Sequence, residues 1–365
     1  MATGELSGPP RILPLYARTV APLLPGASLL PFVGGRGGEL PELELTLPQV
    51  RVDRDHLAAY ARVCGFSLRD SLPATYPHVL AFGLHLGLMT DRRFPFPAIG
   101  LVHLANRIVQ HRPIQLGEAL DLRVRTTSLQ EHPRGRTFAL VSEARVAGEL
   151  VWEDHSTMLR RGASKATSGS PSEGGGGSGS PSGSGSGSGS EGVSAAPPAL
   201  PPRGAVWHLP GDLGRRYAAV SGDRNPIHMH ALTAKAFGFP CAIAHGMWSK
   251  AHSLAALEQR LPDSFSVAVD FGRPMLLPGE VAFGSEELDG GAISFAVWDE
   301  KGASRHLNGR LAPDAGADAA AGARANADAE AAADGDANAD PAARAYASAR
   351  TRGGAEKTKK GDTGA

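Results

Sequence analysis

The sequence predicts an α+β protein built from two related units. Two landmarks recur in the same order: Tyr60-Ala-Arg-Val-Cys-Gly65 matches Tyr217-Ala-Ala-Val-Ser-Gly222, and Arg112-Pro-Ile-Gln-Leu-Gly-Glu118 matches Arg273-Pro-Met-Leu-Leu-Pro-Gly-Glu280. A Gly/Ser/Pro-rich stretch separates the copies, where a duplication would be joined. In each copy a long helix-like segment precedes several strand-like runs, which favours a sheet packed against a helix.

Composition divides the 365-residue chain into five stretches. A Ser/Gly/Pro segment predicts a flexible linker, and an Ala/Asp/Gly segment predicts a disordered tail. The predicted parts are an N-terminal extension (1–39), a first unit (40–162), the linker (163–203), a second unit (204–312) and the tail (313–365). Within the extension, residues 11–26 have the pattern of a short amphipathic helix, which we expect to pack against the body of the protein.

Charge and cysteine content exclude several classes of protein. The 37 Lys and Arg residues balance the 37 Asp and Glu residues, so nothing indicates the basic stripe of a nucleic-acid-binding protein. Cys64 and Cys241 form neither a disulfide framework nor a metal pattern, which favours a cytoplasmic protein. No apolar run approaches the length that spans a bilayer, and the N-terminus does not resemble a secretory signal.

Periodicity places the helices and strands of both copies. In the second copy, Met247, Ala251 and Leu254 share one face of a helix predicted over HGMWSKAHSLAALEQRL, and the first copy has PHVLAFGLHLGLMT at the corresponding place. Three strand-like runs follow each helix. The first copy has LVHLANRIVQHRP, ALDLRVRTTSL and TFALVSEARVAG, and the second has SFSVAVDFGRPML, EVAFGSEEL and AISFAVWDE. We expect the two sheets to pair side by side.

The stretch SGDRNPIH (221–228) brings a carboxylate, an amide and an imidazole together. Asn225-Pro226 favours a turn, so Asp223 and His228 can both face one small molecule and divide acid and base roles. Asn225 holds the loop or orients a water in this interpretation. The alternatives are an ordinary Asx turn at Asp223 and an ordinary loop histidine at His228. His230 is expected to be structural or solvent-facing.

A metal site is a further alternative for the histidines. His228, His230 and His245 supply three imidazoles, but the ALTAKAFGF segment lacks the Glu that a cupin-like site would add. We therefore predict no metal.

These residues resemble the signature of the MaoC-like dehydratases, also called R-specific enoyl-CoA hydratases. The matching motifs are Gly-Asp-x-Asn-Pro-Ile-His and the downstream Ala-His-Gly-Met. A duplicated chain with the motif only in its second half is similar to the double-hotdog 3-hydroxyacyl-thioester dehydratases of actinobacteria. The resemblance covers about 45–312, strongly in 215–280 and weakly in the first copy.

The resemblance implies a double-hotdog fold and a hydro-lyase of fatty-acid metabolism. It implies reversible dehydration of (R)-3-hydroxyacyl thioesters to trans-2-enoyl thioesters, with His228 handling the C2 proton and Asp223 the water or hydroxyl. It implies no cofactor beyond the thioester carrier, which is CoA or an acyl carrier protein. The residues themselves leave the division of roles between Asp223 and His228 open.

The developing enolate oxygen of such a reaction needs hydrogen-bond donors. Gly246 stands at the predicted start of the long helix, where backbone N–H groups are unpaired and the helix dipole favours negative charge. A glycine also lets the thioester approach closely, so we predict the Gly246 N–H as the oxyanion donor. His245 is expected to shape this turn. Four neighbouring residues are predicted to contact the substrate: Ser249, Ala244, Met247 and Phe239.

The first copy lacks the catalytic residues. Phe66 follows Gly65 where Asp223 follows Gly222, and no Asn-Pro-x-His motif is present. We expect this unit to be catalytically silent and to contribute part of the acyl pocket. Four basic residues are candidates to meet the carrier's phosphates: Arg134, Arg136, Arg273 and Lys250.

Two other activities are open at this stage. They are an acyl-thioesterase on the same fold and a non-catalytic subunit that binds the acyl carrier. Chain length, carrier and reaction direction are not predicted. Monomer and homodimer are equally compatible with the sequence.

Overall fold

A computed structural model of the protein describes residues 2–20, 39–162 and 201–313. The helices are α1 (Ile12–Val20), α2 (Arg54–Cys64), α3 (Tyr76–Met89), α4 (Leu213–Ser221), α5 (Pro226–Met229), α6 (Ala231–Ala236) and α7 (Gly246–Ala256). The strands are β1 (Ala2–Glu5), β2 (Leu43–Arg51), β3 (Leu101–Gln110), β4 (Ala119–Thr126), β5 (Gln130–His132), β6 (Gly135–Val146), β7 (Glu149–Arg161), β8 (Ala205–Leu209), β9 (Phe265–Phe271), β10 (Gly279–Glu287), β11 (Ile293–Asp299) and β12 (Arg305–Pro313).

The described strands form one continuous sheet. Its order is β1-β2-β4-β6-β7-β3-β9-β12-β11-β10-β8, and β5 pairs with β6 outside this path. The two units meet where β3 and β9 run antiparallel, with Ala105 opposite Asp270 and Gln110 opposite Phe265. The prediction that the two sheets pair side by side is therefore confirmed.

The two predicted long helices are α3 and α7, and both are largely buried. The first packs on β2, β4 and β6 of its own unit. The second is shorter than predicted, because the chain passes into a 3₁₀ turn at Glu258–Arg260. Each unit is an antiparallel sheet packed against one long helix, and the two together are a double hotdog fold.

The periodicity misses several strands. The first unit contains β2 and β7 in addition to the predicted runs, and the second contains β8 and β12. The missed strand β7 has polar residues at buried positions, among them Asp154 and Ser156. An alternation of apolar and polar residues does not identify such a strand, because its polar groups obtain partners only from neighbouring strands.

The first repeated landmark is a helix that ends on a left-handed glycine. Gly65 follows α2 with φ +89°, and Gly222 follows α4 with φ +76°. Each glycine donates its N–H to a carbonyl four residues earlier, as left-handed caps do. Tyr60 and Tyr217, the first residues of the landmark, pack against each other across the two units with ring centroids 6.4 Å apart.

The second landmark pairs with the segment that leads into the long helix. In the first unit Leu72 N–H donates to Ile114 O at 2.8 Å, and in the second Ala244 N–H donates to Met275 O at 2.9 Å. The Arg-Pro segment therefore holds the start of the long helix in place in both units.

Part of the predicted organisation lies outside the described residues. This applies to almost all of the linker 163–203 and the tail 313–365, and to residues 21–38 of the extension. The five boundaries therefore stay predictions. Within the described ranges, no helix has the length and apolar character needed to cross a membrane.

Candidate active site

The loop after α4 carries Asp223, and the short helix α5 that follows it carries His228. Gly222 turns the chain sharply, and the Asp223 N–H then donates to Ser221 Oγ at 3.1 Å. Asn225 caps α5 by accepting from the Ile227 N–H at 3.4 Å, and Pro226 occupies the first helical position, which it favours. The predicted turn is thus one short helical turn. The side chain of Asn225 holds the loop, as one of its two predicted roles requires.

The structure brings Asp223 and His228 together and adds His245 to them. One ligand-type atom from each of the three side chains lies within 4.8 Å of the others. The imidazole rings of His228 and His245 stack with their centroids 3.7 Å apart. The ring of Tyr217 also packs against His245, with the two centroids 4.9 Å apart. His245 was expected only to shape the turn, but it also belongs to the cluster.

Backbone carbonyls determine the tautomers of both rings. His228 Nδ1 lies 2.8 Å from Ile243 O, and His245 Nε2 lies 3.0 Å from Asp223 O. A carbonyl only accepts, so each of these nitrogens donates a hydrogen. Nε2 of His228 therefore keeps its lone pair, which a general base needs.

Burial and charge set the protonation of the cluster. Burial works to raise the pKa of Asp223, but the His245 and His228 rings and nearby hydrogen bonds outweigh it, so that pKa is below its ordinary value. Burial lowers the pKa of His228 and brings the pKa of His245 to about 3. At neutral pH the site thus holds one carboxylate beside two neutral imidazoles.

Gly246 opens α7, as predicted, and His245 is its N-cap without a side-chain capping bond. The first amides of a helix have no partner within the helix, so the Gly246 N–H is available at the positive end of the dipole. A Cβ on Gly246 would lie 3.1 Å from the Phe271 ring, which shows how closely the backbone is approached there.

Three of the four residues predicted to contact substrate, Ser249, Ala244 and Met247, lie within three residues of this helix start. Ser249 is buried and donates its hydroxyl to Gly246 O at 2.6 Å, and Ala244 is buried in the segment that pairs with Met275. Met247 belongs to the hydrophobic core, and Phe239 is half-buried after α6. Contact of these residues with substrate stays a prediction.

The structure separates His230 from the other two histidines of the metal alternative. His230 is exposed and lies outside the cluster. Asp223, His228 and His245 could each offer one ligand atom to a metal ion, and these atoms lie within 4.8 Å of one another. His245 already uses Nε2 on the Asp223 carbonyl. The absence of a metal stays a prediction.

Sequence reasoning misplaced one residue and missed another. Lys250 was a candidate for the carrier's phosphates, but it is completely buried and donates to Asn106 and Val267. Tyr16 was not predicted, yet its hydroxyl donates to Asp223 Oδ1 at 2.8 Å. It lies on α1, within the segment that was expected to form a packed amphipathic helix. Nothing in its local sequence indicates a contact 207 residues away.

Known proteins resemble this chain in sequence. The sequence-family model described as MaoC like domain matches residues 210–289, a range that includes Asp223, His228 and His245. The 3-hydroxyacyl-thioester dehydratase X of Mycobacterium tuberculosis is 37% identical over 265 residues, covering 73% of this chain and 87% of that protein.

Solved structures resemble it in fold. A crystal structure of HtdX from Mycobacterium tuberculosis matches with a TM-score of 0.61 and 32% identity, over 74% of this chain and 100% of that chain. A MaoC-like dehydratase from Phytophthora capsici matches with a TM-score of 0.57 and 18% identity, over 76% and 97% of the two chains. The latter likeness concerns the fold alone.

Proposed function

This chain belongs to the family of MaoC-like 3-hydroxyacyl-thioester dehydratases, and we propose that it catalyses the reversible dehydration of (R)-3-hydroxyacyl thioesters to trans-2-enoyl thioesters. It is a hydro-lyase of fatty-acid metabolism. The observation that carries the proposal is the pairing of the Asp223 carboxylate with a His228 ring whose Nε2 lone pair is free.

In the proposed reaction His228 carries the transferred proton, and Asp223 holds the oxygen that leaves or adds. In the dehydration direction, Nε2 of His228 takes the proton from C2, while Asp223 accepts a hydrogen bond from the C3 hydroxyl. The C3–O bond breaks and the C2–C3 double bond forms. His228 then returns its proton to the departing oxygen, which leaves as water. Hydration is the reverse, with a water held between the same two groups.

The negative charge that develops on the thioester oxygen is placed at Gly246. Its backbone N–H stands at the start of α7, where the dipole of an 11-residue helix favours an anion. The Phe271 ring packs against Gly246, where a Cβ would lie 3.1 Å from it, so this position favours a glycine.

The remaining assignments are part of the same proposal. The carrier is CoA or an acyl carrier protein, no further cofactor takes part, and the protein acts in the cytoplasm. The first unit is catalytically silent, because Phe66 stands where the second unit has its acid and the segment before α3 contains no His-Gly-Met turn.

The first prediction concerns the proposed acid and base. We expect Asp223→Asn and His228→Gln each to lower kcat about 10²- to 10⁴-fold, the usual contribution of general acid–base catalysis. The assay follows the absorbance of the enoyl thioester with 3-hydroxyacyl and enoyl substrates on both carriers. His230→Gln is the matched control, because this exposed histidine is two positions from His228 and should keep full activity.

Three results would contradict the proposal. Full turnover in both Asp223→Asn and His228→Gln would remove the acid–base pair. Release of free thiol from acyl-CoA without change in enoyl absorbance would identify a thioesterase instead, and binding without turnover at any chain length would identify a non-catalytic subunit.

A further inference from the structure

The N-terminal segment lies against the candidate active site. Its first residues form β1, which extends the sheet by pairing in parallel with β2, and the chain then crosses to α1. Gly83 on α3 admits this crossing, because a Cβ there would lie 3.2 Å from Pro10. Ile12 packs beside Gly222 at an ordinary van der Waals distance, since a Cβ on Gly222 would lie 3.6 Å from it. The segment is therefore packed onto both units where the catalytic loop begins.

The Tyr16 hydroxyl completes the hydrogen bonding of the loop. It donates to Asp223 Oδ1 at 2.8 Å and accepts from the Arg224 N–H at 2.7 Å. Burial and the neighbouring Asp223 carboxylate raise the pKa of Tyr16 above its usual range, so the phenol stays protonated and donates throughout the working pH range.

The two oxygens of Asp223 have different surroundings. Oδ1 accepts from Tyr16 and also from the Asn225 N–H at 3.1 Å, so its bonds are directed into the protein. Oδ2 lies 3.9 Å from His245 Nε2, on the side of the two imidazoles. Holding Oδ1 fixes the rotation of the carboxylate and presents Oδ2 toward the reacting groups.

We propose that Tyr16 is a positioning residue for catalysis, which orients Asp223 from the N-terminal extension so that Oδ2 receives the C3 hydroxyl or the attacking water. The inference rests on the proposed function, because it assigns Tyr16 a role through the catalytic carboxylate. The extension is thereby a working part of the active site, and the second unit with its motif is incomplete without it.

The protonation of Asp223 should respond to the loss of the Tyr16 bond. A hydrogen bond donated to a carboxylate favours its ionised form, so removing the bond raises the pKa of Asp223. Five titratable side chains interact electrostatically with this carboxylate. They are Tyr16 on α1, His228 on α5, His245 before α7, Tyr217 on α4 and His103 on β3. Only the first is changed in the experiment.

The experiment compares Tyr16→Phe with the unaltered full chain. We expect kcat to fall about 10- to 100-fold, the factor associated with one hydrogen bond to a charged group. KM should change little, because Tyr16 meets Asp223 and not the acyl chain. The acidic limb of the pH profile of kcat should move to higher pH. Leu13→Ala is the matched control, since Leu13 lies on the same helix and is 70% exposed.

Other outcomes separate the possible failures. An unchanged kcat in Tyr16→Phe would overturn the inference, and so would a lower kcat with an unmoved acidic limb and a lower Tm, which indicates a merely structural role. Asp223→Asn and His228→Gln are measured in parallel. If those two variants keep full activity, the proposed function fails; if they lose it while Tyr16→Phe does not, only the role of Tyr16 fails.

Discussion

At the scale of single residues, two backbone groups define the chemistry of the site. The Ile243 carbonyl fixes the tautomer of His228, and the first amide of α7 is the proposed hydrogen-bond donor to the thioester oxygen. Neither is a side chain, so neither is revealed by residue type alone. A substitution at Gly246 can nevertheless remove that amide without disturbing the helix.

The prediction at this scale compares Gly246→Pro with Gly246→Ala. Proline suits the first position of a helix, and His245 already has the extended backbone (φ −71°, ψ 138°) that a following proline requires. Both variants add a Cβ beside Phe271, but only proline removes the N–H. We expect Gly246→Pro to lower kcat about 10²- to 10³-fold more than Gly246→Ala does. Equal kcat values for the two variants would show that the amide is not the oxyanion donor.

At the scale of elements, the repeated landmark separates structural from catalytic demands. Both copies end a helix on a left-handed glycine, and only the second continues into Asp223. The glycine therefore serves the fold in both units. In the second unit the glycine also positions the next residue, Asp223, which is the proposed catalytic carboxylate.

The matched pair Gly65→Ala and Gly222→Ala tests this division. A left-handed backbone costs an alanine about 1–2 kcal/mol, so both variants should lower the free energy of unfolding by at least this amount in denaturant titrations. Gly65→Ala should lower it further, because a Cβ there would lie 3.0 Å from the His252 ring. Gly222→Ala should in addition lower kcat about 10- to 100-fold, because it misplaces the adjacent Asp223. Comparable kcat losses in both variants would contradict a special role for the second glycine.

At the scale of the whole molecule, a buried polar cluster joins the two units. We call Lys250, Asn106, Asp154 and His78 the junction cluster. Lys250 on α7 donates to Asn106 O at 3.1 Å and Val267 O at 3.0 Å, and Asn106 donates to Asp154, which pairs with His78. The first and second units thus share hydrogen bonds beneath the β3–β9 seam.

The junction cluster should make stability depend on pH. Burial lowers the pKa of Lys250 to about 7, whereas a lysine in an unfolded chain has a pKa of about 10.4. Between these values the unfolded chain binds one more proton, so the free energy of unfolding should rise with pH in that window. Lys250→Met should remove this rise and cost about 1–3 kcal/mol, because buried acceptors lose their donor. The measurement is urea unfolding from pH 7 to pH 10. A pH dependence unchanged in Lys250→Met would show that another group causes it.

The amino-acid sequence was sufficient to predict the duplication, the two long helices, the start of α7 and the closeness of Asp223 to His228. These features depend on local rules: helical periodicity, left-handed glycines, and a proline that opens a short helix after an Asn cap. The prediction that His230 is structural or solvent-facing agrees with its exposure.

The tertiary structure alone decided the features that join distant segments. Tyr16 reaches Asp223 across 207 positions, and Lys250 finds its acceptors on strands of both units. The strand β7 likewise cannot be predicted from its own sequence. Its buried Asp154 and Ser156 obtain hydrogen bonds from Asn106 on the neighbouring strand β3. A buried polar group is acceptable only when a partner meets it, and that partner is set by packing, which local sequence does not specify.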